Sequence, residues 1–239
     1  MRVAVISDIH ANFHALEAVA EAIGQEQPDE IWCVGDVVGY GPQPNPCCDW
    51  AANHAAVCLA GNHDLGVLGA LDLGLFSDDA AAAALWTRAV LSEGARIYLA
   101  ALEPSATRDG IALYHGSPRD PVWEYVLSYE AACDAIDESA SDVTIVGHSH
   151  VPFAIGQGDL VGGHASDGTE VDLDGRWLLN PGSVGQPRDG DPHAAWLLLD
   201  LDARRATFRR VAYDVERTQA EIRELGLPNV LAERLAHGV

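Results

Sequence analysis

Five short apolar runs, each stopped by a compact polar motif, constrain this chain more than any other feature. The runs cover residues 3–6, 31–34, 57–60, 111–114 and 143–146. The motifs behind them are Asp8-Ile9-His10, Gly35-Asp36, Gly61-Asn62-His63-Asp64, His115-Gly116 and Gly147-His148-Ser149-His150. Short runs rich in β-branched residues predict buried strands. Polar residues at the ends of successive buried strands are expected to converge on one edge of a sheet, where open α/β folds keep their sites.

Taken singly, each motif has an ordinary reading as a turn, a helix cap or a core histidine. Together they offer Asp8, Asp36, Asn62 and the imidazoles of His10, His63, His115, His148 and His150, each at a strand end. Oxygen with imidazole nitrogen is a hard-to-borderline ligand list suited to two divalent cations. His148 and His150 stand two residues apart, so in extended backbone both rings point to the same side.

Composition removes several alternatives. The chain has 14 basic residues, all arginine, and a net charge of −22. Without lysine there is no P-loop, no Schiff-base lysine and no lysine general base. The acidic balance argues against nonspecific nucleic-acid binding and against an anionic membrane surface. It leaves a phosphorylated substrate open: two divalent cations, two carboxylates and one hydroxide sum to about +1 locally. Cys33, Cys47, Cys48, Cys58 and Cys133 are odd in number and show no C-x-x-C pair, so reduced thiols are expected. The chain starts directly into a strand and has no 18-residue apolar stretch, which predicts a soluble cytoplasmic protein. Its 239 residues are expected to form one domain, 1–239.

Strands and helices alternate over the first 150 residues. Phe13, Leu16, Val19, Ala20 and Ile23 predict an amphipathic helix ended by Gly24 and Pro28. A proline-stiffened turn at 39–46 leads to a helix near residues 47–54. Residues 65–77 read as a loop over the site edge. Ser77 starts a helix over 80–91, a second helical stretch covers 92–103, and another helix covers 129–138. Beyond residue 150, runs at 151–155, 177–180, 195–201 and 206–213 predict a second, mostly antiparallel sheet, with a hairpin turn at Asp202-Ala203-Arg204. Asp214 caps a helix through Leu225, and a short helix with Val230, Leu231 and Leu235 follows.

The ordered motif set, together with the later turn Asn180-Pro181-Gly182-Ser183, resembles the calcineurin-like metallophosphoesterase superfamily, and within it the small prokaryotic phosphodiesterase branch. The resemblance covers the whole chain. It implies an α/β fold of two packed mixed β-sheets flanked by α-helices. It further implies that Asp8, His10 and His150 hold one metal, that Asn62, His115 and His148 hold another, and that Asp36 bridges them. A bridging hydroxide would then attack phosphorus in line. His63 would contact the phosphate and protonate the leaving oxygen as an imidazolium, with Asp64 orienting it or capping a helix. Manganese is the first expectation for the metal, with iron, zinc, nickel and magnesium compatible with the same ligands.

Substrate contacts are less sharply marked. Ser183, Arg119 and Arg188 are candidate phosphate ligands, and Tyr40, Trp123 and Tyr125 are candidate stacking surfaces. Of the other histidines, His14 lies one helical turn beyond His10. The protein-phosphatase branch and its diadenosine-tetraphosphatase relatives carry Gly-Asp-x-x-Asp-Arg-Gly. Here the matching stretch is Gly35-Asp36-Val37-Val38-Gly39-Tyr40-Gly41, without the acidic–basic pair. The expectation is therefore a metal-dependent phosphodiesterase for small phosphodiesters or nucleotides. A phosphomonoesterase or protein phosphatase is one alternative, and a non-catalytic scaffold on the same fold is another. Oligomeric state is not legible.

Overall fold

Residues 1–157 and 162–239 are described by the computed structural model. The chain runs β1 (Arg2–Ile6), α1 (Phe13–Glu26), β2 (Glu30–Cys33), α2 (Pro44–His54), β3 (Val57–Cys58), α3 (Asn62–Leu68), α4 (Asp78–Val90), α5 (Glu93–Ala100), β4 (Ser105–Arg108) and β5 (Ile111–Tyr114). It continues through α6 (Tyr129–Glu138), β6 (Val143–Ile145), β7 (Phe153–Gly156), β8 (Gly162–His164), β9 (Glu170–Asp172), β10 (Trp177–Asn180), β11 (Ala194–Asp200), β12 (Arg205–Val211), α7 (Val215–Glu224) and α8 (Asn229–Glu233). Among the described residues these strands make two six-stranded mixed sheets, ordered β3-β2-β1-β11-β12-β9 and β4-β5-β6-β10-β7-β8.

The continuous apolar runs arise because central strands bury both faces. From β1, Val3 and Val5 enter the core between the sheets with Trp32, Leu113, Ile145, Leu179 and Leu197. Ala4 and Ile6 point the other way, against Leu16, Val19 and Ile23 of α1. From β10, Leu178 meets Ala132, Ala135 and Ile136 of α6, while Trp177 and Leu179 join the inter-sheet core. Truncating one of these side chains, as in Leu197→Ala, would cost about 2–5 kcal/mol.

Local signals placed most elements. Ser77 caps α4 through its hydroxyl, 3.4 Å from the Ala80 amide, and Asp214 caps α7 at 3.0 Å from the Arg217 amide. The β11–β12 hairpin turns at residues 201–204 as expected. Three readings are corrected. α1 continues through Gly24 to Glu26 and ends where Gln27 adopts φ 51°. The stretch 65–77 is not a loop throughout: residues 62–68 are helical because Gly61 and Asp64 cap them, and a 3-10 turn covers Leu73–Leu75. The C-terminal strands do not form a separate antiparallel sheet. β9, β11 and β12 complete the sheet of β1, whereas β7, β8 and β10 complete that of β6, with β10 parallel to β6. Long-range pairing such as Val3 with Leu199 leaves no local trace in the sequence.

Candidate metal centre

The two sheets meet with the C-terminal ends of β1, β2, β5 and β6 close together, so the site lies between sheets rather than on one sheet edge. Past each strand the backbone turns sharply. Asp8 (φ 53°), His10 (φ 49°), Asp36 (φ 55°), His148 (φ 62°) and His150 (φ 60°) all adopt the left-handed region. Each costs about 1–2 kcal/mol for a side-chain-bearing residue, and such strain clusters at functional sites. Backbone bonds hold it: the Asp8 amide donates to Gly35 O and the His10 amide to Asp36 O, both at 3.0 Å. His148 and His150 are therefore not an extended pair, and they reach different neighbours. Space is also limiting. A Cβ at Gly35, itself at φ 106°, would stand 2.5 Å from His115 Nδ1, and one at Gly61 would collide with the Asp36 carboxylate.

The candidate ligands fall into overlapping groups: Asp8, His10 and His150; Asp36, His115 and His148; and His10, Asp36 and His63. Asn62 Oδ1 lies 3.2 Å from His115 Nε2. Asp8 Oδ1 is 3.4 Å from His150 Nε2 and 3.8 Å from His10 Nε2. Asp36 Oδ2 is 3.7 Å from His10 Nε2 and 3.4 Å from His115 Nε2. Each carboxylate is anchored on its other oxygen. Asp8 Oδ2 accepts from Ser7 Oγ at 2.6 Å and the His148 amide at 3.1 Å, and Asp36 Oδ1 accepts from the His63 amide at 2.9 Å.

These residues fit divalent cations on three counts. First, Asp8 Oδ1, Asp36 Oδ2 and His148 Nε2 are buried without a hydrogen-bond partner among the described residues, a costly state unless something else binds them. Second, His10, His115 and His150 each direct Nδ1 to a backbone carbonyl, of Val38 (3.2 Å), Val34 (2.9 Å) and Gln186 (2.6 Å). Donating there leaves Nε2 as a lone pair, the usual arrangement of a metal-ligating imidazole. Third, the Nε2 atoms of His10 and His150 lie only 3.0 Å apart, so two lone pairs face each other, a repulsion that a bound cation would relieve.

All seven candidate ligands are at most 2 % exposed. Burial drives His10 and His150 well below the ordinary imidazole range and His148 to about 3. Burial opposes charge on His115 as well, but the Asp36 carboxylate outweighs it and raises His115 to about 9. Burial also pushes Asp8 up to about 7. For Asp36 the same penalty is overcome by His115, His63 and His10, which hold it well below the usual carboxylate range.

The remaining candidates divide. His63 sits beside the ligands, 4 % exposed, with its Nδ1 unpartnered and its ring 4.9 Å from His10 and 5.3 Å from Phe76. Burial lowers its pKa to about 4 in the absence of metal and substrate. Asp64 does not orient His63. Its carboxylate accepts the amides of Val37 (3.2 Å), Val38 (3.0 Å) and Gly61 (2.9 Å), tying the Asp36 turn to the start of α3. Ser183 is fully buried. Its hydroxyl donates to the Asp8 carbonyl and accepts from the Gln186 amide, both at 2.8 Å, so it supports a ligand and does not face substrate. Arg119 is turned away to Glu124 and Asp134 and latches the loop before α6.

Arg188 does belong to the site. Its amide lies 3.4 Å from His150 O, its Nη2 donates to Gln186 Oε1 at 2.8 Å, and its guanidinium carbon is 5.8 Å from the Tyr40 ring centre. Tyr40 packs 4.6 Å from His10 and 4.3 Å from His63, and Tyr125 stacks on His148 at 3.7 Å. Trp123 packs on Phe76. His14 instead bonds Glu221 at 2.9 Å. Phe76 and Gln186 escaped the sequence reading, because no motif marks them.

The site and fold agree with known proteins. Residues 1–204 match the model of the calcineurin-like phosphoesterase superfamily domain. An uncharacterized protein of Methanocaldococcus jannaschii is 37% identical, covering 99% of this chain and 98% of its own. The crystal structure of a metallophosphoesterase from Sphaerobacter thermophilus superposes with a TM-score of 0.91 at 40% identity, covering 100% of this chain and 99% of that one. A symmetrical bis(5'-nucleosyl)-tetraphosphatase of Methylobacillus flagellatus is 39% identical over 67 residues, 26% of this chain and 24% of its own. The chain belongs to the calcineurin-like phosphoesterase superfamily, and with it to the phosphoester hydrolases.

Proposed function

We propose that this chain is a two-metal phosphodiesterase for small phosphodiesters or nucleotides, working with manganese in the cytoplasm. The observation that carries the reading is the position of Asp36. Its unpartnered Oδ2 lies within 3.7 Å of His10 Nε2 on one side and 3.4 Å of His115 Nε2 on the other, within reach of both ligand groups. Asp8, His10 and His150 would hold one cation. Asn62, His115 and His148 would hold the second, with Asp36 within reach of both. When bound, the pair of cations supplies Lewis acidity at the phosphoryl oxygens and an acidified water as nucleophile.

The protein does the rest. Asn62 ligates through a neutral oxygen, so the fixed charge is two carboxylates and the site stays net positive. His63, beside Asp36, presents Nδ1 to a phosphoryl or leaving oxygen, as a hydrogen-bond partner that takes up its proton with the substrate. Arg188 supplies a guanidinium over Tyr40 for a phosphoryl oxygen. Aromatic faces stand on two sides, Tyr125 at His148 and Tyr40 with Phe76 at His63. A diester carries organic groups on two oxygens, which suits two such faces. The local likeness to symmetrical bis(5'-nucleosyl)-tetraphosphatases favours nucleotides within this class. The acidic surface keeps nonspecific nucleic acid and membranes from being partners, and no helix among the described residues is long and apolar enough to cross a membrane.

The test is hydrolysis of bis(p-nitrophenyl) phosphate beside p-nitrophenyl phosphate by chelator-stripped protein supplied with manganese. Manganese-dependent turnover well above that of the monoester supports the diesterase. Preference for the monoester transfers the chain to the phosphomonoesterases. No turnover of either, with two metals bound, overturns catalysis on these esters.

A further inference from the structure

We propose that Arg119 is a positioning residue for an aromatic group of the substrate: it clamps the loop 116–128, and that loop presents Tyr125 at the metal centre as a stacking surface. The inference rests on the hydrolase reading above. It narrows the substrate to phosphodiesters in which the ester group that stays on phosphorus carries a flat ring.

The loop joins β5 to α6, from the candidate ligand His115 to Ser128, which caps α6. It has no helix or strand of its own. Its first leg folds back directly. The Gly116 amide donates to Pro121 O at 2.8 Å and the Ser117 amide to Asp120 O at 2.9 Å. Asp120 Oδ1 then accepts the amides of Val122 at 3.1 Å and Trp123 at 3.0 Å. Charge ties this leg to the returning one. Arg119 grips both oxygens of Glu124 through Nε and Nη2, and its Nη1 donates to Asp134 of α6 at 2.5 Å. Glu124 also accepts from Ser117 Oγ.

This clamp fixes where the neighbours of Glu124 go. Trp123 meets Phe76 at 5.0 Å between ring centres, and Phe76 meets His63. Tyr125 lies nearly flat on His148, at 3.7 Å between ring centres and 25° between planes. His148 is buried, yet Tyr125 is 43% exposed. An aromatic ring on a buried candidate ligand thus keeps open surface at the edge of the site, where a second flat ring can stack. With the leaving oxygen at His63, the leaving group lies towards Phe76 and Trp123. The ester group that stays on phosphorus then lies towards His148 and Tyr125. The Arg119 side chain is 36% exposed, and ion pairs at such positions add little to overall stability, so losing them is felt in the loop before the fold.

The test compares bis(p-nitrophenyl) phosphate with methyl p-nitrophenyl phosphate, using manganese-loaded protein. Both release p-nitrophenolate and differ only in the group that stays on phosphorus. Arg119→Gln should raise KM for the diaryl ester about three- to tenfold more than for the methyl ester, the worth of one aromatic stack. Arg119→Lys keeps a charge for Glu124 and should recover part of that difference. Tyr125→Leu should show the same discrimination. The double variant should lose no more than Tyr125→Leu alone, because the arginine acts through the tyrosine. Equal change on both esters, no change on either, or additive losses in the double variant overturn the positioning role while leaving the hydrolase reading intact. Loss of metal or of folded protein in Arg119→Gln makes the clamp purely structural and overturns it too. If the wild-type protein with manganese cleaves neither ester, both readings fall together.

Discussion

Asp64 offers the sharpest mutational test, because the structure moves it from His63 to the backbone. One carboxylate, fully buried, accepts three amides: Val37 and Gly61 on Oδ2, Val38 on Oδ1. Asp64→Ala strands all three. An orphaned buried donor costs about 1–3 kcal/mol, so simple addition gives about 3–9 kcal/mol. The three share one acceptor and relax together, which places the loss nearer the lower half of that range. Since a domain of this kind is stable by about 5–15 kcal/mol, the alanine variant can lose much of its folded population. Asp64→Asn keeps the experiment readable. Its single carbonyl oxygen can serve Val37 and Gly61, leaving the Val38 amide against an NH2 group, a loss of about 1–3 kcal/mol. Urea unfolding of metal-free protein measures both values. Metal content measured on the same samples should fall as well, since the tie joins the turn of Asp36 to the helix start carrying Asn62. Asp64→Ala within about 1 kcal/mol of wild type, with normal metal and only a slower rate, would refute this and restore a role in orienting His63.

Three further outcomes follow from the same geometry. Asp36→Ala removes the shared oxygen, so turnover should drop by about three orders of magnitude or more and metal content should fall, as read by elemental analysis; two retained metals with normal turnover would contradict sharing. His63→Ala should keep its metal yet lose rate about 10²–10⁴-fold, chiefly for poor leaving groups, and a leaving-group series checks this. Metal loading should release protons: at pH 7 the metal-free site holds one on His115, raised to about 9, and a fraction on Asp8, raised to about 7. Ligands must be deprotonated, so affinity rises with pH up to about 9 and roughly one to two protons leave at pH 7, measurable by calorimetry in two buffers.

The strand ends were legible because each ligand directly follows a strand whose two faces are both buried, leaving an unbroken apolar run in front of it. Asp8, Asp36, His115 and His148 could be found that way, and the family resemblance assigned them to groups. Pairing between distant strands was not legible: β1 is flanked by β2 and by β11, nearly two hundred residues away, and hydrophobicity alone does not choose among apolar strands. The left-handed backbone at five of the ligands was hidden too, since it is imposed by tertiary hydrogen bonds on residues with side chains. Arg119 misled because four residues from His115 in sequence is not near it in space when the loop between them folds back on Glu124.

The most direct measurement is a manganese titration of chelator-stripped protein, following bound metal and bis(p-nitrophenyl) phosphate turnover on the same samples. Two ions bound per chain, with turnover that grows mainly as the second one binds, is the result expected of a site that shares Asp36. Full turnover at one bound ion, or two bound ions with no turnover of any phosphoester, would contradict it.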